Sequence, residues 1–367
     1  MRILGVVTLV SPLGEYGGPV RVAVNQLQAL AARGHQVVLA GATRGFERVP
    51  REIEGIAARL YPARTLVPGA GFAGLTSPGL LRSLSRHVGE FDVVHVHAAR
   101  DLVTLPAARL AASRGVPTVL QTHGMIDESR HPFAAPLDAA LTRPALAAAR
   151  AVSYLTERER GSLVAVGRGR ARLVELHNGV PPAPAAEPAD PLELLFLARL
   201  APRKRPTEFV AAAASLAGEF PEARFTLVGP DEGEGAAVRA AIARSGAPDR
   251  IRWEGALPPE QTGARMRRAT GYVLPAIDEP YPMAVLEAMS AGLPVVVTDS
   301  CGLAGTVERT GAGLVVDARS DSLREAMRTL LADPPAARDR GAAGRAAVRR
   351  DFTMDAVAAQ LEAIYAG

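Results

Sequence analysis

Residues 279–298 read Glu279-Pro-Tyr-Pro-Met-Ala-Val-Leu-Glu287 and then Ala-Met-Ser-Ala-Gly-Leu-Pro-Val-Val-Val-Thr298. A strand-like apolar run, 272–276, precedes this stretch, and a β-branched run, 294–299, closes it. Between them Pro282 suits the first turn of a helix, where its missing N–H costs little. Met283, Val285, Leu286 and Met289 make that helix largely buried. Strand, helix and strand in this order imply two parallel strands joined by a right-handed crossover. The helix start would aim unpaired N–H groups and a positive dipole end at the strand ends, a natural seat for phosphate. Eight residues return nearly to one azimuth, so Glu279 at the mouth and Glu287 two turns on are expected on one face.

The same alternation extends in both directions. Strand-like runs fall at 192–198, 224–229, 251–254, 272–276, 294–299 and 314–317, with helical spacing at 206–217, 282–291 and 321–332. An earlier series has runs at 3–10, 36–41, 92–97, 116–121, 151–155 and 173–176, with helices at 19–33, 101–114 and 135–150. Residues 181–191, rich in proline, separate the two series, and proline feeds neither a central strand nor a helix interior. A tail at 353–366 reads as an amphipathic helix. The fold class is α/β: two doubly wound, parallel-sheet, Rossmann-like domains. Ligands of such sheets bind at the carboxyl ends of strands, and two sheets can face those ends across a cleft.

Composition agrees with this reading. A chain of 367 residues suits two domains, 48% apolar content supplies a core for each, and aromatics are few. The single cysteine, Cys301, excludes an intramolecular disulfide and leaves a reducing cytoplasm as the default. No apolar run approaches a membrane span, and 3–10 reads as a first strand rather than a signal core. The net charge of +4 hides an asymmetry: 21 basic against 13 acidic residues up to position 185, and 21 against 25 beyond it. All seven histidines lie in the first half. The basic half could face an anionic acceptor or a membrane surface, or be a solvated face of an arginine-rich protein. Nothing has the spacing of a nucleic-acid motif, so nucleic acid is not an expected partner.

Of 42 basic residues only Lys204 is a lysine, five positions after Arg199 and just past the run 192–198. A guanidinium is a planar fork and an ammonium a compact point charge, so the two suit different phosphate geometries. Arg199 and Lys204 read as a diphosphate clamp, with a solvated basic loop as the plain alternative. His95 and His97 share a strand face, but spacing specifies no third metal ligand, so a packed or acceptor-lining role is expected and no metal. Asn178-Gly179 reads as a turn with Gly179 at positive φ. Gly229 follows a strand, where ligands of such sheets gather.

Tyr16-Gly17-Gly18, Asp92-Val-Val-His-Val-His97, Thr122-His123-Gly124, His177-Asn178-Gly179-Val180, Arg199 through Lys204, Glu279 through Glu287 and Gly311-Ala-Gly-Leu-Val315 occur in that order. In this the chain resembles the family-4 retaining glycosyltransferases of GT-B fold over nearly its whole length. The resemblance implies an N-terminal acceptor-binding domain at 1–183 with the helix 353–367 packed back on it, a linker at 184–191, and a C-terminal donor-binding domain at 192–350. It implies sugar transfer from a nucleotide sugar, a UDP-sugar first and GDP-mannose second, with retention and without a metal or permanent cofactor.

By the same resemblance Arg199 and Lys204 would neutralise the diphosphate. Glu287 would bind the ribose diol, and Glu279 the hydroxyls of the transferred sugar. Gly17 and Gly18 would admit backbone close to the donor. His123 would lie near the reacting carbon, giving a catalytic set of His123, Glu279, Arg199 and Lys204. Gly229, Met283 and Ala284 complete the donor side; His97, Met125 and Arg130 form the acceptor side. Two departures stand out: Tyr281-Pro282 replaces phenylalanine-glycine, moving a backbone contact to Met283 and Ala284, and Cys301 replaces the first glycine of a Gly-Gly turn. The acceptor is a lipid-linked glycan, another sugar-bearing molecule or a small molecule, and the location cytoplasmic, with peripheral membrane association left open. The competing readings are a nucleotide-sugar epimerase or sugar phosphorylase of the same architecture and a catalytically silent nucleotide-sugar binder.

Overall fold

The computed structural model describes residues 1–12, 17–129, 131, 133–187 and 191–367, apart from the side chains of 17, 259 and 260. Its chain forms two compact units, Met1–Gly179 with Met354–Gly367, and Val180–Thr353.

In the first unit the apolar runs become β1 (Arg2–Val10), β2 (Gln36–Thr43), β3 (Glu52–Ile53), β4 (Ile56–Pro62), β5 (Arg64–Thr65), β6 (Leu75–Thr76), β7 (Val93–His97), β8 (Thr118–Gln121), β9 (Ala151–Tyr154) and β10 (Leu173–Glu175). The main sheet runs β10-β9-β8-β7-β1-β2-β4-β3, and β5 and β6 form a separate hairpin. All neighbours in the main sheet are parallel except β3 and β4. The chain builds outward from β1 through β2 and β4, then returns to β7 on the other side. The topological switch therefore falls between β1 and β7, where crevices open in folds of this kind.

The second unit repeats the plan with β11 (Glu193–Leu197), β12 (Arg224–Val228), β13 (Ile251–Trp253), β14 (Gly271–Leu274), β15 (Val295–Thr298) and β16 (Gly313–Val316). These six strands run β13-β12-β11-β14-β15-β16, all parallel. Here the switch lies between β11 and β14. Phe196, Phe225, Tyr272 and Val296 are fully buried in a core covered by helices on both faces.

Every strand expected from the sequence is present to within two residues, and the tail forms the helix Met354–Ala366. Three expectations are corrected. The helix expected at 101–114 starts only at Thr104, because the Asp101 carboxylate turns back to accept the N–H groups of Val103 (2.9 Å) and Thr104 (2.6 Å). The single helix expected at 135–150 is broken by a wide turn at Asp138–Thr142, where Asp138 is held by the buried guanidinium of Arg100 at 2.8 and 3.0 Å. Gly179 does not adopt the positive φ expected of it, and Asn178 is buried and accepts the Gln121 amide N–H at 2.8 Å.

The chain from 183 to 187 is tied into the second unit by three backbone donors. The N–H groups of Ala183, Ala186 and Glu187 reach Ser290 Oγ, the Ala291 carbonyl and the Arg267 carbonyl. Among the described residues no helix is long and apolar enough to cross a membrane.

Candidate active site

In the second unit three loops leave the carboxyl ends of β11, β14 and β15 and converge on Glu279. The first carries Arg199 and then a tight turn at Pro202–Lys204. The Lys204 Nζ lies 2.7 Å from the Glu279 carboxylate and an Arg203 guanidinium nitrogen lies 3.2 Å from it. Lys204 and Glu279 are only 9% and 8% exposed, so this is a buried charge pair. Burial pulls the Lys204 ammonium below its ordinary value, with Glu279 opposing that shift and the neighbouring Arg203 and Arg199 adding to it. The second loop is locked to the first by the Ile277 N–H on the Arg203 carbonyl (3.0 Å) and by Arg203 on the Asp278 carbonyl (3.2 Å). The third holds the Glu279 carbonyl through the Gly302 N–H at 2.8 Å. Cys301, beside that contact, is buried, and desolvation lifts its thiol to about 11.

The helix Met283–Ala291 begins one residue later than expected, with Pro282 in extended conformation at its cap and no side chain capping it. The first N–H groups of a helix have no intrahelical partner, so those of Met283 and Ala284 mark an anion-attracting end. Glu279 precedes the helix and does not share its face with Glu287, so the azimuth argument does not apply. Glu287 is half-buried one turn and more into the helix, and its charge helps burial raise the Tyr272 phenol.

Arg199 is half exposed and grips Glu232 with one nitrogen at 2.6 and 2.9 Å. The two sequence-expected clamp residues thus each hold a carboxylate, Glu232 and Glu279. Glu232 and Arg203 were not expected; both lie in charged loops whose pairing spans more than thirty residues. Gly229 has an explanation inside the fold: its φ is 148°, and a Cβ there would lie 1.9 Å from the Ala198 carbonyl oxygen.

In the first unit, His97 ends β7 and His123 follows β8. The His97 Nδ1 and His123 Nε2 are 2.9 Å apart, and their rings stack at 5.1 Å. His95 stacks on the other side of His97 at 4.7 Å, and its Nδ1 meets the Tyr365 hydroxyl at 2.7 Å. Burial lowers all three imidazoles, His95 to about 4, His123 to about 3 and His97 well below its ordinary value, with the neighbouring rings adding to the effect on His97 and His123. His95 and His97 are therefore packed into this stack, and among the described residues no group of three histidine, cysteine or acidic side chains is arranged to hold a metal. Met125 closes the turn after His123 through its N–H on the Thr122 carbonyl (2.8 Å). Gly17 and Gly18 open the helix Gly17–Ala32, and a Cβ at Gly18 would meet open space, so packing within the unit does not demand glycine there. Tyr16 and Arg130 lie outside the described residues.

Two Rossmann-like units in series, each a parallel sheet with a switch point, are the architecture of the GT-B fold. The chain belongs to glycosyltransferase family 4 and is a glycosyltransferase. Residues 17–179 match the glycosyl transferase 4-like domain, and residues 182–347 match the glycosyl transferases group 1 domain. A glycogen synthase of Mycobacterium tuberculosis is 30% identical over 75% of this chain and 68% of its own. A 2-deoxystreptamine glucosyltransferase of Streptomyces kanamyceticus is 29% identical over 84% and 88%. Among solved structures, HepE of Anabaena in complex with UDP and glucose superposes with a TM-score of 0.78 at 18% identity over 99% of both chains. The sucrose-phosphate synthase of Thermosynechococcus elongatus gives 0.75 at 20% identity over 98% of both.

Proposed function

We propose that this glycosyltransferase uses a UDP-sugar, with GDP-mannose as second choice, and transfers the sugar with retention to a hydroxyl of a glycan, glycolipid or small-molecule acceptor, without a metal. The observation that carries the donor side is the buried Lys204–Glu279 pair with Arg203 and Arg199 around it, at the β11–β14 switch point. A diphosphate brings the counter-charge that Lys204 now draws from Glu279. On binding, Lys204 and the arginines would turn to phosphate oxygens, the N–H groups of Met283 and Ala284 would add the helix end, and Glu279 would be released to sugar hydroxyls. Glu287 would take the ribose diol. A relative solved with UDP supports uridine over guanosine.

The chemistry proposed is a front-face displacement. The bond from the anomeric carbon to the phosphate oxygen breaks, and the electron pair leaves with the diphosphate. The acceptor oxygen bonds to the same face, and its proton passes to the leaving phosphate oxygen. The cations stabilise the charge that grows on the diphosphate. His123, kept neutral by burial, would place its ring and backbone against the sugar without adding a competing positive charge.

Calorimetric titration of UDP, GDP and ADP into the wild type and Lys204→Ala tests the donor site. One diphosphate should bind and lose more than about tenfold in the variant, roughly 1.4 kcal/mol. Equal binding by both proteins would sink the clamp. Proton NMR of the first transfer product decides retention, and turnover in the presence of EDTA decides metal independence.

A further inference from the structure

Glu159 lies on the helix Glu157–Gly167, whose first turn is capped by the Thr156 hydroxyl accepting the Glu159 N–H at 3.2 Å. Its carboxylate is buried and is spent elsewhere. Oε1 accepts the Thr122 hydroxyl and the Gly124 N–H, each at 2.5 Å, and Oε2 accepts the Leu155 N–H at 2.7 Å. Two of these three donors belong to the residues on either side of His123. His123 itself has φ 53° and Gly124 has φ 71°, two left-handed residues in succession. A non-glycine residue in that region is strained by the order of 1 kcal/mol and keeps it only where the surroundings over-determine the backbone. The imidazole is held separately, by His97.

We propose that Glu159 is a positioning residue of the active site: by bonding both neighbours of His123 it fixes the strained turn that presents His123 to the donor sugar. The inference rests on the reading of His123 given above. No other carboxylate oxygen is aimed at this turn in the hydrogen bonds found among the described residues, and the ring contact with His97 orients the side chain without constraining the peptides. Glu159 acts through the backbone and touches no reacting atom.

Leucine at this position has no acceptor, so Glu159→Leu leaves the Thr122 hydroxyl and the Gly124 and Leu155 N–H groups without their carboxylate. With UDP-glucose as the probe, water as the acceptor and UDP release as the readout, kcat should fall by about tenfold or more while KM changes by less than about threefold. Thr122→Val, which removes one donor, should fall between that variant and wild type. Thr156→Ala removes the cap of the same helix, at a cost of about 1 kcal/mol, without touching the His123 turn, and should keep wild-type kcat. In amide spectra the Gly124 N–H should be shifted far downfield by its short bond in the wild type and in Thr156→Ala and lose that shift in Glu159→Leu, a readout that needs no substrate. If Thr156→Ala loses as much kcat as Glu159→Leu, or the Gly124 signal is unchanged by Glu159→Leu, the proposal is overturned. If Glu159→Leu does not fold, the kcat and Gly124 signal of Thr122→Val decide. His123→Ala separates the two layers: an inactive His123→Ala beside a fully active Glu159→Leu removes only the positioning role, whereas a fully active His123→Ala removes the reading of His123 itself.

Discussion

Three imidazoles stacked in one buried row can stay folded only while they stay neutral. His95 is held at about 4 and His123 at about 3, against an ordinary value near 6.5 in the unfolded chain. Between those values the unfolded state binds protons that the folded state refuses, so stability rises with pH there. The contribution is therefore complete above about pH 6.5 and lost as pH falls toward 4. Each fully buried ring contributes up to about 1.4 kcal/mol per pH unit in that window, less for His123, whose burial is partial. With centroids 4.7 and 5.1 Å apart, a proton on one ring also opposes the next. The first unit should lose thermal stability between pH 6.5 and 5, above the range in which ordinary carboxylates titrate. His95→Phe removes one titrating ring and one bond to Tyr365, so it should flatten that slope while lowering the midpoint at pH 7.5. Scanning calorimetry at several pH values measures both; an unchanged slope would show that the row does not control acid lability.

At the scale of elements, the second unit depends on one close helix crossing. The helix Pro334–Asp351 passes over the end of Met283–Ala291 so closely that a Cβ on Gly341 would sit 2.0 Å from the Gly292 carbonyl oxygen. Both atoms belong to backbone, so one helix must move by about an ångström to admit a methyl. Gly341→Ala should cost about 2–3 kcal/mol and lower the midpoint of the second unit by several degrees. It should also weaken UDP binding, because Gly292 closes the helix Met283–Ala291 that carries the candidate donor groups. Gly305→Ala, in the helix Ala304–Thr310 where a Cβ meets open space, should be neutral or mildly stabilising. Thermal melts and UDP titrations of the two variants make the comparison.

The same elements show what a sequence reader can see. β7, β8, β14 and β15 were legible because buried parallel strands are written as continuous apolar runs. β4, with Arg59 in its middle, and the arginine-rich helix Pro334–Asp351 were not, since their polar residues hide the periodicity. His123, Glu279 and Lys204 were legible as residues that follow strands. Their partners were not: Glu159 looks like one charge in the solvated run Glu157-Arg-Glu-Arg160, and only its spacing from Thr156 hints at a helix start. The contact that matters, with Thr122 and Gly124, spans more than thirty residues and exists only once β8 and β9 pair.

For the whole molecule the decisive feature is that the chain ends in the unit where it began. Met354–Ala366 follows directly on the second unit in sequence, yet Val357, Ala358, Leu361 and Tyr365 are buried against Ile3, Val7, Leu27 and Leu30 of the first. Burying a large apolar side chain is worth about 1.5–3 kcal/mol, so Val357, Leu361 and Tyr365 together supply roughly 5–9 kcal/mol as an upper bound. That is comparable to the whole stability of an ordinary domain, about 5–15 kcal/mol. The helix also provides the Tyr365 hydroxyl for His95 and the Tyr365 carbonyl for Arg150 at 2.7 Å. Removing residues 354–367 should therefore unfold the first unit and spare the second, although the second is the one that precedes them in sequence. Hydrogen exchange followed by peptide mass spectrometry resolves the two. β1, β7 and the helix Gly17–Ala32 should lose protection in the truncated chain, while β11, β14 and the helix Met283–Ala291 keep theirs and still bind UDP. Retained protection at β1 and Gly17–Ala32 would mean that the first unit closes its core without the returning helix. Collapse of both units would mean that the second cannot stand without the first.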